Sequence, residues 1–217
     1  MEQPTLVQVP GGPRLEALLA HSPSATAGLV LCHPHPLYGG DMDNPVVVRG
    51  AEVARGLGLA TLRFNFRGAG RSTGTHGGGV AEMDDVRAAL AHLAATLSGG
   101  ATLGVLGYSF GAWVSARVTA ADPRPLCLVA PPLKMLDWSA AVPSRPDLCV
   151  LAGTRDSYCP LPELEHFLAK LPGVRHAIIE GADHFFFGKL YPLGEEIGAW
   201  CRGWAGGSPP LPGQPRG

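Results

Sequence analysis

At 217 residues the chain is long enough for a sizeable core, and about 150 residues per domain makes a single domain the default. Seventeen Lys and Arg against eighteen Asp and Glu leave a formal net charge of −1, so there is no basic field to hold nucleic acid or an anionic membrane. Thirty glycines and twenty-one prolines approach low complexity, but 46% hydrophobic residues is the content of a chain that folds.

The first elements form a hairpin. Thr5–Val9 and Arg14–Leu18, joined across Pro10–Pro13, read as an antiparallel pair at a sheet edge. Gly28–Cys32 is an apolar run, followed by a Pro/Gly loop and a helix from Val46 to Arg55. Ala60–Phe64 is the next strand and also ends in a Gly-rich loop. Met83, Val86, Leu90, Leu93 and Leu97 recur at steps of three and four, which is one face of a helix. Asp84 and Asp85 fall in its first turn, where the helix dipole favours negative charge, so their role reads as structural.

From Ala88 to Ala116 the chain carries no Asp, Glu, Lys or Arg, a run longer than the roughly 20 residues a bilayer requires. Ser98-Gly99-Gly100 breaks it and Gly104, Gly107 and Gly111 punctuate the rest. A helix end, the strand Leu103–Leu106 and a helix from Phe110 to Thr119 account for it better than a membrane span. Leu126–Val129 and Leu148–Leu151 are two further apolar runs. A helix from Leu161 to Lys170, a strand from Val174 to Ile179 and a helix from Leu193 to Trp204 complete the order.

Continuous apolar strands separated by helices predict a mostly parallel, twisted sheet of about eight strands covered by helices on both faces. Residues 1–205 form the single domain of this reading, and 206–217 a Gly/Pro-rich tail expected to be disordered. The five cysteines, Cys32, Cys127, Cys149, Cys159 and Cys201, are an odd set without a C-x-x-C pair. The opening Met1-Glu2-Gln3-Pro4 lacks the basic start and apolar core of a secretory signal. Together they predict a reduced, cytoplasmic compartment.

Gly107-Tyr108-Ser109-Phe110-Gly111 matches G-x-S-x-G. With this many glycines about 0.2 accidental matches are expected, so the context carries the argument: a strand precedes the motif and a helix follows. A sharp strand-to-helix turn crowds its neighbours, and glycine two residues before and after removes the side chains that would clash. A Ser hydroxyl becomes a good nucleophile only when an oriented base takes its proton. His184, in Gly181-Ala182-Asp183-His184, follows the last strand, and Asp156, in Gly153-Thr154-Arg155-Asp156, follows Leu148–Leu151. Loops at the carboxyl ends of parallel strands gather on one edge of the sheet, and the chain order Ser, Asp, His fits one hydrolase architecture.

On these residues the chain resembles the α/β-hydrolase superfamily from Thr5 to Trp204. Asn65-Phe66-Arg67-Gly68-Ala69-Gly70-Arg71-Ser72 is similar to that family's loop after the fourth strand. Cys32-His33-Pro34-His35-Pro36-Leu37-Tyr38-Gly39-Gly40 is similar to the oxyanion loop of a dienelactone-hydrolase-like subgroup of serine esterases. The resemblance implies an α/β-hydrolase fold with Ser109 as nucleophile, His184 as base and Asp156 as acid.

An oxyanion hole needs two backbone N–H groups aimed at the developing alkoxide. Phe110, directly after the nucleophile, is the source of one. Pro34 and Pro36 have no N–H to give, which leaves His35, Leu37 or Tyr38 for the other. The resemblance favours His35, which matches the donor position of the family's loop.

Leu37, Tyr38, Phe110, Trp138, Tyr158, Phe185 and Phe186 are the expected pocket lining. Only eighteen residues separate Val129 from Leu148, too few for a large lid domain, so an open cleft for small soluble esters is expected rather than one for long lipids. His33 and His35, with Asp41 and Asp43 nearby, do not by themselves make a metal site, since two His at i and i+2 cannot close one. Gly68, Gly70 and Gly74 miss dinucleotide spacing by one position, and no Walker lysine follows.

The reading is therefore a cofactor-free serine hydrolase of carboxylic esters, whose partner is a small molecule and neither nucleic acid nor membrane. The alternatives are a thioesterase or short-peptide hydrolase, and a non-catalytic small-molecule receptor of the same fold.

Overall fold

A computed structural model describes residues 1–21, 25–139, 142 and 145–206. Its strands are β1 (Gln3–Gln8), β2 (Arg14–Ala20), β3 (Ala27–Cys32), β4 (Ala60–Phe64), β5 (Thr102–Tyr108), β6 (Leu126–Val129), β7 (Leu148–Gly153) and β8 (Arg175–Ile179). Its helices are α1 (Pro45–Gly56), α2 (Glu82–Ala95), α3 (Phe110–Ala121), α4 (Leu161–Ala169) and α5 (Leu190–Trp204).

The eight strands form one sheet in the order β1-β2-β4-β3-β5-β6-β7-β8. β1 and β2 pair antiparallel with Gln3 opposite Leu19, β2 pairs antiparallel with β4, and the remaining neighbours are parallel. The edge hairpin and the mostly parallel sheet are as expected. After β3 the chain goes to β4 on one side and then crosses to β5 on the other. That reversal opens a crevice at the carboxyl ends of β3 and β5, where ligands bind in open α/β sheets.

Alternation along the strands explains why both faces are covered. In β3, Leu29 and Leu31 join one core with Val46, Val47, Ala51 and Ala54 of α1 and Leu193, Ile197 and Trp200 of α5. Val30 and Cys32 point the other way, into a core with Val86 and Leu93 of α2, Val114 and Val118 of α3, and Leu164 and Phe167 of α4. β7 repeats the pattern, with Cys149 and Leu151 on the first side and Leu148 and Val150 on the second. Each fully buried Leu or Val side chain contributes about 1.5–3 kcal/mol, so a strand apolar on both faces stays in the sheet's interior. All five cysteines are free and buried in these layers.

The uncharged run from Ala88 to Ala116 is the rest of α2, all of β5 and the first half of α3. Among the described residues no helix is long and apolar enough to cross a membrane. The last helix starts at Leu190, three residues earlier than its apolar pattern indicated. Pro192 sits in its first turn, where a missing N–H leaves no helical bond unmade. Asp85 is wholly buried and forms a bidentate pair with Arg67, while Asp84 pairs with Arg87 one turn on, so both carboxylates are structural. Among the described residues between β6 and β7 no helix or strand forms a lid. All of the Gly/Pro-rich tail beyond residue 206 lies outside the described residues.

Candidate active site

Ser109 occupies the junction of β5 and α3 with φ 54° and ψ −116°, a backbone conformation that non-glycine residues rarely adopt. Such a residue costs on the order of 1–3 kcal/mol and persists only where its surroundings enforce it. Here the Ser109 N–H donates to the Val129 carbonyl at 2.9 Å and its own carbonyl accepts from the Ala112 N–H at 2.9 Å. The two flanking glycines are required by space: a Cβ on Gly107 would strike the Gly111 carbonyl, and one on Gly111 would strike the Cys32 carbonyl.

The hydroxyl so presented lies 2.9 Å from His184 Nε2. On its other side the imidazole Nδ1 stands 2.9 and 2.8 Å from the two Asp156 oxygens. With the proton on Nδ1 donated to the carboxylate, Nε2 is free to accept from the Ser109 hydroxyl. Asp156 Oδ1 also accepts the N–H groups of Tyr158 at 2.8 Å and Cys159 at 2.9 Å, which fixes the carboxylate before the imidazole meets it. Ser109, His184 and Asp156 are all buried.

The loops holding Asp156 and His184 are tied together. Arg155 N–H donates to the Ala182 carbonyl at 2.9 Å, and Gly181 N–H to Thr154 Oγ1 at 2.8 Å. Tyr108, the residue before Ser109, donates its hydroxyl to the His184 carbonyl at 2.9 Å.

Phe110 is the first residue of α3, where an N–H has no carbonyl one turn back to bond. Opposite it lies the turn 34–40. Leu37 N–H donates to His35 Nδ1, Tyr38 and Gly40 N–H donate to the His35 carbonyl, and Gly39 N–H donates to the Pro36 carbonyl. Pro36 has no N–H, so among the described residues only the His35 N–H from 35 to 40 has no partner within the turn. The occupied donors of Leu37 and Tyr38 remove them from the three candidates.

A cleft of about 600 Å³ opens above these groups. Its walls include His35, Tyr38, Phe110, Tyr158 and Phe185 together with Pro132, Met135 and Leu136. Among the described residues that line it there is no Asp, Glu, Lys or Arg. Three expected residues stand elsewhere. Leu37 is 69% exposed and lies outside the cleft. Trp138 faces a second cavity beside α4, with its indole edge-on to Phe167 at 5.4 Å. Phe186 is wholly buried in the α1/α5 core. Met135 and Leu136 follow β6, so the rule that strand carboxyl ends build the site pointed to their loop, although it did not say which side chains turn inward.

His33 has a different task from the ligand role its spacing with His35 invites. Its Nδ1 lies 2.6 Å from the Pro34 carbonyl, and its Nε2 accepts the Phe66 N–H at 2.9 Å. Both nitrogens are used in joining the ends of β3 and β4, and burial pushes the imidazole pKa down to about 4.

The fold that carries this arrangement recurs in known proteins over nearly the full chain. An α/β serine hydrolase homologue from Coxiella burnetii is 33% identical, with a TM-score of 0.83 over 91% of this chain and 96% of its own. This chain belongs to the α/β serine hydrolases. A serine hydrolase without a lid from Xanthomonas campestris is 30% identical, with a TM-score of 0.86 over 96% of this hydrolase and 97% of its own chain. An uncharacterized protein of Rickettsia prowazekii is 35% identical to the hydrolase over 178 residues, covering 77% of this chain and 74% of that one. No protein-family model matches the chain.

Proposed function

We propose that this hydrolase is a serine esterase that cleaves small, uncharged carboxylic esters through an acyl-enzyme intermediate. The observation that carries the reading is the unbroken run from Asp156 through His184 to Ser109, with each step at 2.8–2.9 Å. Ser109 Oγ attacks the ester carbonyl carbon as its proton passes to His184 Nε2. The carbonyl π pair moves onto oxygen, and that oxyanion is met by the N–H groups of Phe110 and His35. Asp156 holds the imidazolium in place without taking its proton. The oxyanion then re-forms the carbonyl, the C–O bond to the alcohol breaks, and His184 returns the proton to the departing alkoxide. A water molecule, deprotonated by the same imidazole, repeats the sequence on the acyl-Ser109 ester and releases the acid.

No cofactor is required for these steps. A cleft of this size favours short acyl chains, and described walls free of Asp, Glu, Lys and Arg favour neutral substrates. The same chemistry serves thioesters, and a polyanionic thioester carrier finds no cation among the cleft-lining side chains.

The test is hydrolysis of 4-nitrophenyl esters from acetate to palmitate by the natural protein and by Ser109→Ala. The expected result is turnover highest on acetate to butyrate, with a loss on the order of 10⁴-fold or more on removing the hydroxyl. Equal rates for the two proteins, or no turnover on any ester while small molecules still bind, would overturn the esterase reading in favour of a receptor.

A further inference from the structure

The turn carrying the His35 N–H lies between two prolines, where a glycine-rich chain would otherwise be free to bend. Its conformation is set by His35. The carbonyl of His35 accepts N–H groups from Tyr38 and Gly40, each at 3.1 Å. Its side chain accepts a third, from Leu37, at 3.2 Å. Three of the next five residues thus fold back onto one, and His35 itself is extended at φ −61° and ψ 122°.

The ring is also held from outside the turn. Its centroid lies 4.7 Å from that of Phe110, 4.7 Å from that of His76 and 4.8 Å from that of Tyr38. His76 Nδ1 in turn lies 3.0 Å from Glu82 Oε1, and the wholly buried Glu82 carboxylate accepts the N–H groups of Gly77 and Gly79 at 2.7 Å. One side chain therefore connects the two residues whose N–H groups face the reacting oxygen in the esterase reading.

We propose that the His35 imidazole is a positioning residue for the oxyanion hole: by accepting the Leu37 N–H at Nδ1 it locks the turn that aims the His35 N–H. This rests on the esterase reading above. The imidazole does not touch the reacting atoms in this role; it acts through the main chain. Nδ1 can accept only while unprotonated, which places the ring proton on Nε2. Burial and the neighbouring His76 both hold the His35 pKa below its ordinary value, and Glu82 opposes them more weakly.

Two substitutions separate the acceptor from the ring. His35→Asn removes the ring and keeps an oxygen able to accept the N–H two residues on, as in an Asx turn. His35→Phe keeps a stacking ring and removes the acceptor. The measurements are kcat and KM for 4-nitrophenyl acetate, and the affinity of phenylboronic acid, whose tetrahedral adduct on Ser109 mimics the oxyanion. The expected result for His35→Phe is a loss of about tenfold or more in kcat, part of the 10²–10³ that one oxyanion donor is worth, with KM nearly unchanged. Boronate affinity should fall in parallel, and His35→Asn should keep both quantities within about threefold.

If His35→Phe fails to fold by thermal melting, His35→Gln takes its place. Its carbonyl is one bond too far out to close the turn, so it should lose kcat as Phe would. Natural activity in the acceptorless variant, a loss confined to KM, or an Asn variant as impaired as the Phe variant overturns the proposal. If the natural protein hydrolyses no ester, the esterase reading fails by itself, and the order of boronate affinities decides the positioning role. No boronate binding by the natural protein overturns both.

Discussion

The hydroxyl of Tyr108 donates to the carbonyl oxygen of His184 at 2.9 Å, so the last residue of β5 anchors the loop that brings the imidazole to Ser109. Tyr108 and Ser109 are neighbours in sequence, whereas His184 lies 75 residues further along from Ser109. The contact makes the spacing of Oγ and Nε2 depend on a single rigid strand end. Tyr108 is almost fully buried, and burial also pushes its phenol pKa up, which keeps the hydroxyl a donor.

Tyr108→Phe leaves the His184 carbonyl without this donor and removes little volume. A stability loss of about 1–3 kcal/mol is expected, measured by urea denaturation. On 4-nitrophenyl acetate, kcat should drop several-fold with little change in KM, because the ring loses its anchor while the cleft walls stay in place. An unchanged kcat would show that the two hydrogen bonds to Asp156 orient the imidazole unaided.

The buried His33 makes stability depend on pH in a defined direction. Its folded pKa of about 4 lies below the ordinary histidine value, so between about 6.5 and 4 the unfolded chain holds a proton that the folded chain does not. Its contribution is fully present above about pH 6.5 and is lost as pH falls towards 4, by at most about 1.4 kcal/mol per pH unit for one proton. Chemical denaturation at steps from pH 7 to pH 4.5 measures that slope. A His33→Gln variant should be less stable at pH 7 and show a shallower slope; an identical slope would reassign the effect to other groups.

Charge-free cleft walls predict discrimination between two esters of similar size. 4-Nitrophenyl hemisuccinate carries a carboxylate where 4-nitrophenyl butyrate carries a methyl group. An unpaired charge brought into such a cleft should lower kcat/KM by about 30-fold or more, equivalent to about 2 kcal/mol. Met135→Lys, on the cleft wall, should narrow that gap by raising the rate on the hemisuccinate. Equal rates for both esters with the natural protein would remove the argument for neutral substrates.

Ser109, Asp156 and His184 were legible because each follows an apolar run, and parallel strands carry such positions to one edge. Met135, Leu136 and Trp138 were not separable in this way. They follow β6 in irregular chain that turns at Ala130, with φ 46°, and has no period from which an inward side could be read. The first two turn into the cleft, while Trp138 packs on Phe167 beside α4. Likewise the i, i+2 spacing of His33 and His35 says only that the two do not close a metal site, whereas the structure gives one side chain to a buried bridge between strand ends and the other to a turn.

By itself, then, the sequence determined the alternation of strands and helices, the mostly parallel sheet and the edge that holds the polar residues. Hydrophobic periodicity and glycine at crowded turns are local properties, and they suffice for that. The tertiary structure alone decided which N–H of the turn 34–40 has no partner within that turn, which aromatic rings face the cleft and which carbonyl Tyr108 reaches. Those outcomes depend on contacts between segments far apart in the chain, where the fit of particular surfaces outweighs any local preference.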